Sequence, residues 1–267
     1  MKFLPCKIID SKWAEKLLNG EAFMRPLAEF GSWNTDSDIT DTNRRDNMEG
    51  VVAYYANANE APFLQGFDPA FKAVISRAVV IDDSELPYFK LFCMYCLEIG
   101  DDENPVLPDP RVRGFGDTAI VFRDFNRFLV RWGRALEARY TDWVDLLDRI
   151  NYYPVDTNRA LVPLFEKSEE YSYQKELRLA FCRSAKFGDY YRIALEKKTV
   201  IVNVGDIRDI AYAVPIEDFL DGSGVVGRHY FPETGDLNIP YDFMVNHTRE
   251  QMKTFRSYGG RTQVVIS

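Results

Sequence analysis

Hydrophobic and polar positions alternate along much of this chain, and a period of two predicts β-strands. The runs are short and are separated by segments rich in Gly, Pro, Asp and Asn, which favour turns. The predicted strands cover residues 2–9, 21–26, 51–56, 73–81, 88–99, 117–123, 151–155, 171–181, 189–195, 198–204, 207–214 and 260–267.

Helical spacing of apolar residues occurs in fewer places. Residues 10–20 (DSKWAEKLLNG) are predicted to form a short helix, capped by Asp10 or Ser11 and closed by Gly20. The other predicted helices cover residues 124–140, 141–150 and 215–222, and residues 157–168 are expected to form a short helix or an irregular connection.

The order of these elements is irregular, and no internal repeat or linker interrupts them. Many strands with a few helices in mixed order predict an α+β fold: a single mixed or antiparallel, β-rich domain with peripheral helices. We expect this domain to cover residues 1–221. Residues 222–267, whose periodicity is weak, are expected to form a C-terminal extension packed on it.

Composition narrows the function classes. The 267 residues are 46% hydrophobic and 14% aromatic, enough for a sizeable core. A net charge of -8 argues against general nucleic-acid binding, although a local basic patch stays possible. No apolar run is long enough to span a membrane, and residues 1–13 lack the apolar core of a signal peptide. We therefore expect a cytoplasmic protein without a membrane partner.

Cysteine and histidine offer little support for metal chemistry. Cys93 and Cys96 form a lone C-x-x-C, and the two histidines, His229 and His247, lie far downstream. A structural zinc site needs four ligands, so no metal is expected. In a strand the two thiols point to opposite faces, which favours buried structural cysteines over a redox or zinc pair.

Familiar catalytic motifs are also missing. The chain has no phosphate-loop motif, no G-x-S-x-G and no H-E-x-x-H, and the glycines of RGFGDTAIVF precede a predicted strand instead of a helix. We therefore expect any chemistry to depend on carboxylates, arginines and aromatic residues.

The run YSYQKELR, residues 171–178, has the most unusual polar pattern. In a strand Gln174, Glu176 and Arg178 share one face, while Tyr173 and Leu177 point to the core. Two interpretations stay open. The polar face is either solvated, with a surface Glu176–Arg178 pair, or part of a functional site.

Four segments in order, GEAFMRPLAEF, RRDNMEG, FGDTAIVF and YSYQKELRLAF, give the chain a resemblance to a known group. It resembles an uncharacterised family of bacterial and phage proteins with an early Asp-x-x-Glu-Gly box and a late Tyr-[Glu/Gln]-Lys-Glu-x-Arg box. The resemblance covers roughly residues 12–215. Gln174 stands where the family usually has Glu, and Leu177 where it often has Trp.

The late box also resembles the [Glu/Gln]-x-Glu signature of mono-ADP-ribosyltransferases. That resemblance implies an ADP-ribosyltransferase-like fold, NAD as substrate, and a toxin, phage-defence or counter-defence role. It implies catalytic roles for Glu176 and Gln174. It further implies that NAD is bound by Arg25, Thr118, Tyr173 and Arg178, with support beside the site from Arg45, Asp46 and Glu49.

Other interpretations stay open beside this one. The chain is alternatively a non-catalytic module of the same fold that senses or inhibits by binding a nucleotide or protein. A weaker alternative is a carboxylate-metal nuclease using Asp46, Glu49 and Glu176. Arg25 is alternatively paired with a nearby acid. The macromolecular acceptor or partner protein is not identified by the sequence.

Overall fold

A computed structural model gives the architecture of the chain. It describes residues 2–30, 51–55, 78–82, 89–139, 143–154, 159–160, 164–183, 199–226 and 262–266. These residues form a mixed α+β fold dominated by antiparallel sheet, which confirms the predicted class. No helix among the described residues combines the length and apolarity needed to cross a membrane.

The elements are numbered here in chain order. The strands are β1 Lys2–Ile9, β2 Glu21–Pro26, β3 Val51–Tyr55, β4 Ala78–Asp82, β5 Lys90–Ile99, β6 Thr118–Phe122, β7 Trp143–Arg149, β8 Asn151–Tyr153, β9 Arg159–Ala160, β10 Glu166–Ser168, β11 Glu176–Arg183, β12 Val200–Asn203, β13 Ala211–Pro215 and β14 Thr262–Ile266. The helices are α1 Ser11–Leu18, α2 Phe125–Arg139 and α3 Ile216–Leu220, and 3-10 turns cover Leu27–Glu29, Pro110–Phe115 and Glu169–Gln174.

The main sheet has eight strands and is organised around β5. One edge of β5 pairs with β11, which in turn pairs with β7. The other edge is shared by two strands. β1 pairs with the later part of β5, from Tyr95 to Ile99, and β2 pairs with its start, at Lys90 and Leu91. Among the described pairings, residues 92–94 therefore have no strand partner on this edge.

Helix α1 connects the two strands that share this edge. Ala14, Leu17 and Leu18 face the core. The helical spacing predicts an apolar stripe of Trp13, Leu17 and Leu18, which is confirmed for the two leucines, whereas Trp13 is half exposed. The helix is followed by Gly20 at φ 95°, the left-handed conformation expected at this position. A Cβ on Gly20 would lie 2.1 Å from the carbonyl oxygen of Gly205, so a side chain cannot be placed there without moving the backbone.

Apolar side chains cover both faces of the sheet. On one face the long helix α2 packs Phe128 and Trp132 against Phe92 of β5, where the ring centroids lie 5.9 and 6.3 Å from that of Phe92. Asp124 accepts a hydrogen bond from the backbone N–H of Arg127 and so caps this helix. The second face is covered by α3 and the 3-10 turn Pro110–Phe115.

Four predicted elements are wrong, and the strand predicted at 189–195 lies outside the described residues. Residues 157–168, expected to be a short helix or an irregular connection, contain the strands β9 and β10. Residues 141–150 were expected to be helical, but 143–149 form β7, because seven residues pair with β11 and this ladder outweighs helix propensity. The strand predicted from residue 171 begins at Glu176, after a 3-10 turn. The segment 198–204, expected to be a central strand, contributes β12 at the end of the strand order.

The described residues after 221 belong to two parts of the fold. Val225 is fully buried in the second core cluster, so the packing continues past residue 221. Residues 262–266 form β14, which pairs with β4 in a separate four-stranded sheet that also contains β3 and β9. The strand predicted at 260–267 is thereby confirmed.

Candidate functional site

A pocket of about 460 Å³ opens where β1 and β2 leave part of the β5 edge uncovered. Its walls come from β1, α1, β2 and β12, and residues 91–95 of β5 supply the floor. The charged lining side chains are Lys7, Asp10, Lys16, Glu21, Arg25, Lys167, Glu176 and Arg178, and the aromatic ones are Trp13, Phe23, Phe30, Phe92, Tyr95 and Phe115.

The inner end of the pocket holds a carboxylate between two cations. Glu176 accepts a hydrogen bond from Nε of Arg178 at 2.7 Å, and its other carboxylate oxygen lies 3.0 Å from Nζ of Lys167. Lys167 also donates to the side-chain oxygen of Gln174 at 2.9 Å. All four residues are at least 93% buried. The solvated face considered for this segment is therefore wrong.

Backbone geometry fixes this cluster. Lys175 adopts φ 38°, a left-handed conformation that ends the 3-10 turn and starts β11. The backbone N–H of Glu176 then donates to the hydroxyl of Tyr152 at 2.9 Å. The guanidinium of Arg178 donates to the carbonyl oxygen of Leu164, also at 2.9 Å. Gln174 thus reaches the cluster from the turn, and not from a regular strand position as predicted.

Charge dominates the ionisation of Glu176. Burial by itself raises the pKa of this carboxyl, but the charges of Arg178 and Lys167, together with the hydrogen bond from Arg178, lower it well below the ordinary value. The carboxylate is therefore ionised at neutral pH and lies within hydrogen-bonding distance of both cations.

Cys93 links the floor of the pocket to this cluster. It stands opposite Arg178 in the β5–β11 ladder, so its side chain lies on the same face of the sheet as Glu176 and Arg178. Burial, followed by the negative charge of Glu176, raises the pKa of the Cys93 thiol to about 12. The thiol is protonated at neutral pH and is a poor nucleophile. Cys96 packs in the core on the opposite face, as the strand alternation predicts.

Lys7 lies over the uncovered edge of β5. Its ammonium donates to the backbone carbonyl of Cys93 at 2.6 Å and lies 4.9 Å from the centroid of the Phe92 ring. A side-chain donor thus satisfies a carbonyl that the adjacent strand does not reach, and it places a positive charge beside the Glu176 cluster.

The mouth of the pocket is aromatic and more exposed. Trp13 and Phe23 are each 48% exposed, and Ile201 opposes Phe23 in the β2–β12 ladder. The ammonium of Lys16 lies 4.8 Å from the Trp13 ring, and the guanidinium of Arg25 lies 5.6 Å from the Phe23 ring. Exposed rings beside cations provide a surface on which a planar group can stack.

The structure brings together some of the predicted site residues. Arg25, Gln174, Glu176 and Arg178 all line the pocket. Arg25 also pairs with Glu29 at 3.0 Å, which confirms the alternative that it binds a nearby acid.

Thr118 and Tyr173 are not brought to the pocket lining. The hydroxyl of Thr118 donates to Asp117, at the start of β6. Tyr173 packs under the guanidinium of Arg111, 3.9 Å from its ring. Arg45, Asp46 and Glu49 lie outside the described residues, so the nuclease alternative rests here on Glu176 alone. Elsewhere in the described part of the chain, no group of three or more His, Cys, Asp or Glu side chains is arranged to hold a metal.

Sequence reasoning missed the aromatic mouth, formed by Trp13 and Phe23. It also missed three residues at the inner end: Lys7, Cys93 and Lys167. Lys7 breaks the apolar run of β1, and a lysine inside such a strand signals an unusual environment. Lys167 carried no such signal, because its segment had no clear periodicity. Cys93 was considered only as a thiol paired with Cys96.

Comparison with models of known families, with characterised proteins and with solved structures finds no match to this chain. The function of the pocket therefore has to be argued from its own geometry.

Proposed function

We propose that this protein is a nucleotide-binding module whose ligand occupies the pocket on the uncovered edge of β5. One observation carries the proposal: the pocket combines aromatic side chains with five cations and three carboxylates, in a chain whose net charge is -8. A local excess of positive charge favours an anion, and exposed rings favour a planar base. A volume of about 460 Å³ lies within the usual range of about 300–1,000 Å³ for small-molecule sites.

The surroundings of Glu176 favour binding over catalysis. In ADP-ribosyl transfer a carboxylate stabilises the positive charge that develops on the ribose. Glu176 already faces Lys167 and Arg178 at hydrogen-bonding distance, and these cations offset its charge. The carboxylate is then best suited to holding the two cations in place for an anionic ligand.

The second candidate is NAD-dependent ADP-ribosyl transfer by an ADP-ribosyltransferase-like fold. A specific observation supports it: Arg25, Glu176 and aromatic side chains converge on one pocket, as that chemistry requires. Here Glu176 is the catalytic carboxylate, Gln174 contacts the acceptor, and a bacterial or phage protein of this kind acts as a toxin or in phage defence or counter-defence.

Calorimetric titration tests the binding proposal. NAD, ADP-ribose and AMP are titrated into the protein, into Phe23→Ala and into the matched control Leu107→Ala. Phe23 lines the pocket, whereas Leu107, an exposed apolar residue, is not part of its lining. We expect at least one ligand to bind, with affinity reduced about tenfold by Phe23→Ala and unchanged by Leu107→Ala. Failure of all three to bind the folded protein would overturn the proposal.

The same samples separate the two candidates. Nicotinamide release from NAD is followed for the protein and for Glu176→Gln, with cell lysate present in one arm to supply an acceptor. Release that is lost in Glu176→Gln, while that variant still binds NAD, establishes the transferase. If NAD binds but no nicotinamide is released in either arm, the result supports the binding module.

A further inference from the structure

The two ends of the pocket differ in exposure. Phe23 and Trp13 at the mouth are 48% exposed, whereas Lys167 and Arg178 at the inner end are 6% and 1% exposed. A stacked ring tolerates contact with water on its edge, while an ionic contact is strongest where water is excluded. The exposure gradient therefore separates a ring subsite from a charge subsite.

The described charges of the lining separate in the same way. At the inner end the lining contains three cations, Lys7, Lys167 and Arg178, and one carboxylate, Glu176. The buried Asp148, which is not part of the lining, stands opposite Arg178 in the β7–β11 ladder. At the mouth the two cations are matched by two carboxylates, and the net charge is zero; these residues are Lys16, Arg25, Asp10 and Glu21. The excess positive charge of the described lining thus lies entirely at the inner end.

Lys7 belongs to the inner end by its contacts. Its ammonium donates to the carbonyl of Cys93, and the side chain of Cys93 lies on the same face of the sheet as Glu176 and Arg178. Lys7, Glu176 and Arg178 all act electrostatically on the Cys93 thiol. A phosphate above Cys93 would therefore meet the positive charges of Lys7 and Arg178 together.

We propose that the ligand binds with its phosphate at the inner end, against Lys7, Lys167 and Arg178, and with its base stacked at the mouth on Trp13 and Phe23. This orientation rests on the proposed nucleotide site and adds the class of ligand: a nucleotide with an accessible phosphate. Glu176 then positions Lys167 and Arg178 for the phosphate instead of facing the sugar.

Adenosine and AMP, which differ only in the phosphate, are the probes. Their dissociation constants are measured by calorimetry with the wild-type protein, Lys7→Met, Lys7→Arg and Arg25→Gln, and melting curves confirm that each is folded. We expect AMP to bind wild type about tenfold or more tightly than adenosine. The ratio of the two dissociation constants should fall severalfold in Lys7→Met, where Lys167 and Arg178 remain, and be retained in Lys7→Arg and Arg25→Gln.

Trp13→Ala supplies the complementary measurement. Loss of stacking should lower the affinities for adenosine and for AMP by the same factor, about tenfold, and leave the ratio of their dissociation constants unchanged. A ratio that survives Lys7→Met but is lost in Arg25→Gln would overturn the orientation and leave the nucleotide site intact. Absence of binding by both probes and by NAD and ADP-ribose would overturn the site as well.

Discussion

Two clusters in this protein have the same charge composition, one carboxylate between two cations. Glu176 lies between Lys167 and Arg178, with side-chain exposures of 1–8%. Asp209 lies between Arg127 and Arg131, at 3.3 and 2.5 Å, with exposures of 21–58%. The distances are similar, and the main difference is access to water.

Access to water decides how much each cluster contributes to the free energy of unfolding. Water already solvates the exposed cluster in the unfolded and folded chains, so forming it changes the free energy of unfolding little. The buried cluster has lost its water, and each ion depends on its partners. A buried cluster of this kind adds little net stability compared with apolar packing, and all three of its residues line the pocket.

Removing each carboxylate charge is expected to give the largest contrast. Glu176→Gln removes the carboxylate charge that Lys167 and Arg178 contact at the buried inner end, and we expect a loss of about 3–5 kcal/mol in the free energy of unfolding. Asp209→Asn should cost at most about 1 kcal/mol. Urea unfolding at pH 7 measures both. Equal losses for the two variants would mean that burial is not the deciding factor.

Acid should narrow the difference in the free energy of unfolding between wild type and Glu176→Gln. The pKa of Glu176 is lowered in the folded state relative to its ordinary value of 4.5, so its ionised form stabilises the fold fully above that value. This stabilisation is lost as the pH falls below 4.5 toward the folded pKa. Urea midpoints at pH 7, 5, 4 and 3 should therefore converge for the two proteins. A constant gap would show that Glu176 acts through packing alone.

Salt should have the smallest effect on the free energy of unfolding, and only through the exposed cluster around Asp209. Raising NaCl from about 0.1 to about 1 M shortens the Debye length from about 10 to about 3 Å. The loss of stability caused by Asp209→Asn should disappear as the salt concentration rises. The loss caused by Glu176→Gln should change little. A cost of Glu176→Gln that falls with salt as steeply as that of Asp209→Asn would indicate that water and ions reach the inner end of the pocket.

Local patterns predicted much of the fold. Helix α1 with its terminal Gly20 and the strand alternation of β5 follow from residue spacing alone. The pattern failed at residues 143–149, where a sequence with helical spacing forms a strand because β11 pairs with it. That partner is about thirty residues away, and no local signal reports it.

The site was predicted only in part, for a related reason. Alternation placed Glu176 and Arg178 on one face, but it could not show that this face is buried. Lys167 reaches Glu176 from another strand, and Lys7 reaches Cys93 across 86 positions of sequence. Contacts of this kind depend on the topology of the sheet, which residue patterns do not encode.

The pairing of β5 with β11 also bears on the order in which the pocket can form during synthesis. A nascent chain that has emerged only to residue 160 contains Lys7 and Cys93 but lacks the whole Lys167–Glu176–Arg178 cluster. Until β11 docks, the cysteine thiol and the floor of β5 are open on the side that Glu176 later covers. Because β11 and β12 emerge late, the pocket is complete only after residue 203 has been synthesised, and a strand edge of β5 is exposed to misassociation until β11 docks.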